Sequence, residues 1–568
     1  MSPELSRLLD DFAVFPTYHC IYGRHASFAD LKSLLARFGL EDWLYHLSRL
    51  SCLMCGDRHR PSEYSEGFFK WIVPPELRLT LAKWFADERS PPRRLLFTER
   101  EVGILIELAL LHSQQGAKSS THPGDQKVLL DALLMLTDFA TPSQIPKRDD
   151  PDAARAWASI ISTLFSRSML DDPFPQMARA MELYQVCRDC RSEDAQGWTA
   201  TFREATGSSL EAYMLGGLGT LACTFVRSPQ DIAENWKPLP TKYTKDDGTP
   251  ITHVPDAYYG SRAASAADLK AHVMEYECDF SNPNDFNLNA LKRFPLLRTE
   301  DGSFWPLFVG GIAQSLCEGV YQELITAANE RRIAWRRQEV AFAFGHLFED
   351  YVLTLLQEAL GDRVLARPML SDRSEEIADA IILYPEGLIV VQVKGWHVPA
   401  SRRFATKPAT ASETEQAKTG IETGVSQTAR SISRIREGGA RDLMLPSMDA
   451  RSVLIQPLLV TYENLPLLGL EQPFIDLQRK HAKVDSHTRT IVFASVREME
   501  FLTALPQGET LFSVLGEYVS KADWASRSLH NFLVYTKRAT KEAAGSRFWH
   551  LYDSLKARFR LQDFERSA

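Results

Sequence analysis

The chain has 568 residues, of which 44% are hydrophobic and 24% charged, with 30 Gly and 30 Pro. That excludes a largely disordered chain, and the length exceeds the roughly 250–300 residues that one core fills, so two or three domains are expected. The formal net charge of -8 excludes a globally basic nucleic-acid wrapper but leaves room for a local basic groove, and eight Cys in this length do not make a disulfide scaffold.

No run approaches the ~18 uncharged apolar residues of a membrane span. The opening MSPELSRLLDDF carries acids where a secretory leader carries basic and then apolar residues. A cytoplasmic protein with no membrane partner is expected.

Residues 1–235 read as a helical N-terminal domain. FADLKSLLARFGLEDWLYHLSRL, ELRLTLAKWFA, EVGILIELALLHS, QKVLLDALLMLTDF and ARAWASIISTLFSRSM repeat apolar residues at three- and four-residue spacing. Pro-rich breaks separate them, and no fixed-period repeat supports a solenoid. LGGLGTLA lacks the third Gly and the acid of a dinucleotide loop and reads as a tight helix contact. Residues 236–330 read as linker and connecting helices, with the Pro-containing stretch 236–262 an exposed loop. Helical patterning then runs to Gly361, which suits a C-cap.

Beyond Gly361 the pattern changes to short runs rich in Val, Ile and Leu. RVLARPML, ADAIILY and LIVVQVKG read as strands, the last two joined at Pro385-Glu386-Gly387 in a hairpin. A helix-compatible stretch, TEQAKTGIETGVSQTARSISRIRE, precedes two more strand-like runs, VLIQPLLVTY and TIVFASV. The order over about 340–465 is helix, three strands, helix, strand. The unit is assigned to 331–505, with a helical C-terminal segment at 506–568.

The chemistry lies in that hairpin. Asp379 begins one strand, and Gln392 and Lys394 end its partner, so all three share one end of the sheet. Residues two apart on a strand face the same way, which pairs the Gln392 amide with the Lys394 ammonium. Taken alone, Asp379 is an ordinary turn residue and Lys394 a solvated strand end.

With Glu349 on the preceding helix, in FGHLFEDYV, the set resembles the PD-(D/E)XK nuclease superfamily, the restriction-endonuclease-like fold. The resemblance covers about 340–465. It implies a multidomain α plus α/β protein: a large helical N-terminal region, an αβββαβ nuclease core and a helical C-terminus. The family's usual acid before x-Lys is Gln392 here, as in its Mrr-like branch.

By that resemblance Glu349, Asp379, Gln392 and Lys394 are catalytic, and the first three hold Mg²⁺, for which Mn²⁺ substitutes, through hard oxygen atoms. Lys394 orients or deprotonates the attacking water or stabilises charge on the phosphate. An amide in place of a carboxylate removes one negative charge, so weaker metal binding and a single ion are expected. The implied activity is endonucleolytic hydrolysis of DNA, with RNA as the other substrate this chemistry serves. The implied setting is restriction or anti-phage defence, the N-terminal region sensing a signal or assembling with another copy or a partner protein. The other reading is a catalytically inactive nuclease fold that binds nucleic acid or builds an assembly.

Eight basic residues stand against four acids across 400–441. Arg402, Arg403, Gln427, Arg430 and Arg434 are the candidate nucleic-acid contacts, with a solvated helix face as the other reading. Trp396 and His397 follow the Lys and read as a packed aromatic and a surface His. The basic stretch from Lys537 to Arg566 interleaves Phe548, Trp549, Tyr552 and Phe559, suiting a capping helix or a nucleic-acid contact. Cys52/Cys55 and Cys187/Cys190 have zinc-ligand spacing but lie over 130 residues apart on helix-like stretches, so buried thiols are expected rather than zinc. No phosphate-binding loop, H-E-x-x-H or G-x-S-x-G is present.

Overall fold

The structure is a computed structural model, and it describes residues 13–14, 16–54, 72–85, 93–94, 97–114, 126–140, 173–188, 191–225, 236–276, 288–370, 375–395, 411–439, 452–462, 486–521, 529–538 and 542–560. The N-terminal part is helical, as the periodicity predicts. Its main helices are α1 (Leu40–Leu53), α2 (Glu99–His112), α3 (Gln126–Ala140), α4 (Pro173–Leu183), α5 (Glu193–Thr206) and α6 (Leu210–Phe225). The first apolar run is two helices, because the chain leaves helical geometry at Gly39, the N-cap of α1. The run ARAWASIISTLFSRSM lies outside the described residues.

LGGLGTLA is the tight contact expected of it. A Cβ on Gly216 would lie 2.4 Å from the Val254 carbonyl oxygen, and one on Gly217 would lie 2.4 Å from Leu316 Cδ2. The neighbouring segment corrects the exposed-loop reading of 236–262. Tyr243–Thr244 and Pro250–Ile251 pair as short antiparallel strands, and His253–Arg262 is a helix that buries Val254, Tyr258 and Arg262. Pro255 sits in that helix's first turn, where a missing N–H leaves no intrahelical bond unmade, so it does not break the helix.

Two long helices follow, α7 (Val309–Asn329) and α8 (Arg337–Leu360). Gly361 ends α8 at φ 58, a left-handed angle that favours glycine. Then come β1 (Val364–Ala366), β2 (Ala380–Tyr384), β3 (Gly387–Lys394), α9 (Ala411–Arg434), β4 (Ile455–Thr461) and β5 (Val492–Ser495). Among the described residues they form a mixed sheet in the order β5-β4-β3-β2-β1. β1, β2 and β3 are antiparallel neighbours, while β3, β4 and β5 run parallel. Tyr384 pairs with Gly387, so the hairpin turns on Pro385 and Glu386 alone. Parallel strands need a crossover, and α9 lies in the connection from β3 to β4.

The sheet is covered on both faces, which is why β3 reads as a nearly continuous apolar run. Ile389, Val391 and Val393 join the main core, together with Phe344 and Phe348 of α8. Leu388 and Val390 face a smaller cluster containing Ile435, just past α9. After the sheet come α10 (Val496–Leu502), α11 (Leu511–Ser520) and α12 (Glu542–Phe559).

The C-terminal aromatics pack as a capping helix. Phe548 and Tyr552 are buried, Phe548 packs at a tilt on Phe174 with ring centroids 4.7 Å apart, and Arg558 donates to the carbonyl oxygens of Val186 and Cys187. The main core is one contiguous cluster of buried side chains running from Tyr18 to Leu555. No helix among the described residues is long and apolar enough to cross a membrane.

Candidate active site

The hairpin register fixes the geometry of the site. The pairing of β3 with β2 ends at Val391 and Ala380, which puts Gln392 one residue on, level with Asp379. Asp379 turns back on the strand end, its Oδ2 accepting a 2.6 Å hydrogen bond from the Val393 N–H. Glu349 arrives from α8, and a glycine at the end of β3 permits the approach. A Cβ on Gly395 would lie 2.9 Å from the Cα of Gly345, so a residue without a side chain at 395 lets α8 close on the end of β3. Glu349 stands four residues, about one helical turn, beyond Gly345 on the same face.

The structure adds a carboxylate that the sequence reading missed. Glu349, Glu376 and Asp379 each offer an oxygen, and these oxygens lie within 4.8 Å of one another. Glu376 is carried by an extension of the β1–β2 pairing. Ile377 N–H donates to Pro368 O at 2.7 Å, and Leu370 N–H to Glu375 O at 3.0 Å. Nothing in the spacing of SEEIADA marks Glu376, since its position depends on backbone pairing with the Pro368–Leu370 stretch. An acid three residues before Asp379 is the one available hint.

Charge and burial oppose each other here. Burial lifts the Asp379 carboxyl above the ordinary range, and Glu349 adds to the rise, while the Lys394 ammonium and the Val393 N–H pull it down. Burial also lifts Glu376, reinforced by Asp379 and Glu349 and opposed by Arg367 and Lys394. Lys394 is therefore near enough to act electrostatically on both acids. Its stem lies against α9, where a Cβ on Gly424 would sit 3.4 Å from Lys394 Cγ.

Gln392 is only 5% exposed, and its Nε2 donates to Ser431 Oγ at 3.2 Å. Ser431 in turn donates to the Gln427 backbone carbonyl at 2.9 Å, so Gln427 takes part in the wall behind Gln392. The Oε1 atoms of Gln427 and of Glu376 are buried with no hydrogen-bond partner among the described residues. A second unforeseen residue is Arg367. Its Nε donates to Glu349 Oε1 and its Nη2 to Asp350 Oδ1, both at 2.6 Å.

The candidate nucleic-acid contacts divide. Arg430 is exposed on α9. Arg434 is engaged by the protein itself: it donates to the Glu376 carbonyl oxygen at 2.6 Å and pairs with Glu375. It braces the segment carrying Glu376. Arg402, Arg403, Trp396 and His397 lie outside the described residues. So do Cys55 and Cys190. Cys52 is buried, and burial pushes the Cys187 thiol up to about 11 while its Sγ donates to Leu551 O at 3.5 Å.

A divalent cation suits the donor set. The carboxylates are hard oxygen ligands, and Glu376 Oε1 is buried and unpartnered among the described residues.

No family model matches the chain, and no curated protein is significantly similar to it. Among solved structures, the restriction endonuclease FokI is matched at 10% identity over 80% of this chain and 93% of that one, with a TM-score of 0.17. A superposition that loose carries no argument.

Proposed function

We propose that this chain is a metal-dependent nuclease of the restriction-endonuclease-like PD-(D/E)XK type, hydrolysing phosphodiester bonds in DNA. One observation carries the reading: three carboxylates meet at the end of a mixed sheet, within electrostatic reach of Lys394. Glu349, Glu376 and Asp379 would hold Mg²⁺ or Mn²⁺, which supplies an activated water and screens charge growing on the phosphate. Gln392 braces the strand end through Ser431, and its amide oxygen is a further hard donor. Lys394 orients the water or steadies negative charge on the phosphate oxygens. The exposed Arg430, together with Arg402 and Arg403, would guide the backbone. The helical N-terminal half would sense a trigger or mediate assembly in a restriction or anti-phage setting.

The test is cleavage of plasmid DNA by the full chain with Mg²⁺ or Mn²⁺. Asp379→Ala should abolish cleavage, and Lys394→Ala should lower it by about 10²–10³-fold. One observation favours the inactive, nucleic-acid-binding alternative: Arg367 already occupies Glu349. DNA binding by the wild type with no cleavage under either metal would decide for that alternative.

A further inference from the structure

We infer that Arg367 is the built-in counter-cation of the carboxylate trio, and that a divalent ion enters by displacing its guanidinium from Glu349. This rests on the metal reading above. Three carboxylate oxygens within 4.8 Å repel one another strongly unless a positive group balances them. Arg367 is built to do so. Burial works against its charge, but the bonds to Glu349 and Asp350 overcome this and hold the guanidinium well above its ordinary range. Its backbone N–H pairs with the Asp379 carbonyl oxygen at 2.9 Å, which anchors it beside the site, and its charge also pulls the Asp379 and Glu376 carboxyls down against the lift of burial.

The same contacts make it a competitor. Arg367 Nε lies 2.6 Å from Glu349 Oε1 and so takes up acceptor capacity on a carboxylate that a metal also needs. The side chain is 46% exposed, so the guanidinium has water to move into while Nη2 keeps Asp350, itself outside the trio, as its anchor. A sequence motif does not report this, since Arg367 lies between a strand and Pro368 with no spacing rule to mark it. Arg367 is thus a positioning residue that sets the metal concentration at which the site fills.

The experiment is Mn²⁺ binding to the full chain by calorimetry, with thermal melting of the metal-free and Mn²⁺-loaded protein. Arg367→Gln should tighten Mn²⁺ binding by about tenfold, the worth of one charge-assisted contact. It should also lower the melting temperature of the metal-free protein, with Mn²⁺ restoring it. Arg367→Lys should fall between, because one ammonium replaces a fork that bridges two acids, and it keeps the test sound if the Gln variant folds poorly. Mn²⁺ binding that Asp379→Asn abolishes but neither Arg367 variant tightens overturns this inference alone. A wild type that binds no Mn²⁺ overturns both this inference and the nuclease reading.

Discussion

Gln392 stands where the resemblance expects an acid, and its neighbours determine what restoring the acid does. Its amide nitrogen donates to Ser431 Oγ, whose own proton goes to the Gln427 carbonyl. Gln392→Glu replaces that donor with an oxygen facing an oxygen, in a residue only 5% exposed. We expect a loss of about 1–3 kcal/mol in metal-free stability, the cost of one unmet buried polar contact. Mn²⁺ should recover part of it, because the added charge enlarges the anionic cage. Urea denaturation with and without Mn²⁺ measures both effects. An unchanged metal-free stability would mean that the Ser431 bond does not hold the strand end. Arg367 shows another strain at this scale: its φ of 46 is left-handed for a residue with a Cβ, at a cost of about 1–2 kcal/mol. The fork of bonds to Glu349 and Asp350 accompanies that conformation.

Elements show where sequence patterns are informative and where they stop. The strand and helix order from α8 to β4 was legible because apolar runs, the two-residue hairpin and the Gly361 stop are local signals. Asp379, Gln392 and Lys394 followed from the hairpin register. Glu376 and Arg367 did not, because one reaches the site through backbone pairing with the Pro368–Leu370 stretch and the other through a side chain that crosses to α8. The 236–262 segment misled by its prolines, although Val254 and Tyr258 are spaced to share one helix face. A cap formed between distant elements is equally hidden. Glu99, the first residue of α2, accepts from Gly310 N–H at 2.6 Å and from Ser51 Oγ at 3.2 Å, so it caps α7 from outside. Burial pushes its carboxyl up to about 7 from an ordinary 4.5, so the unfolded chain gives up this proton first. Stability therefore falls as pH rises from about 4.5 to about 7 and changes no further above that. Glu99→Gln lacks the proton and should gain on the wild type by roughly 3 kcal/mol across that window. Denaturant melts at pH 5 and pH 8 test this, and parallel pH profiles for the two proteins would refute it.

Across the whole molecule, the helical half and the sheet-bearing half meet through a largely buried charge pair, its side chains 10% and 17% exposed. Arg179 of α4 grips both oxygens of Glu500 in α10, at 2.7 and 2.8 Å, and Tyr351 of α8 donates to the same carboxylate at 2.8 Å. Arg179→Ala leaves that acid enclosed without its cation and should cost about 3–5 kcal/mol. Replacing both partners, Arg179→Met with Glu500→Leu, should recover most of the loss, because apolar side chains of similar volume fill such a site well. Thermal melting of the single and double variants gives the comparison, and a single variant as stable as the wild type would show that the pair does not hold the two halves together. Since Tyr351 lies two residues beyond Glu349, whatever shifts α4 also bears on the helix that carries an acid of the trio. The contiguous core has a practical corollary. The sheet-bearing end cannot be lifted out and grafted elsewhere: severed from the helices before it, the fragment would present leucine and phenylalanine to water and clump.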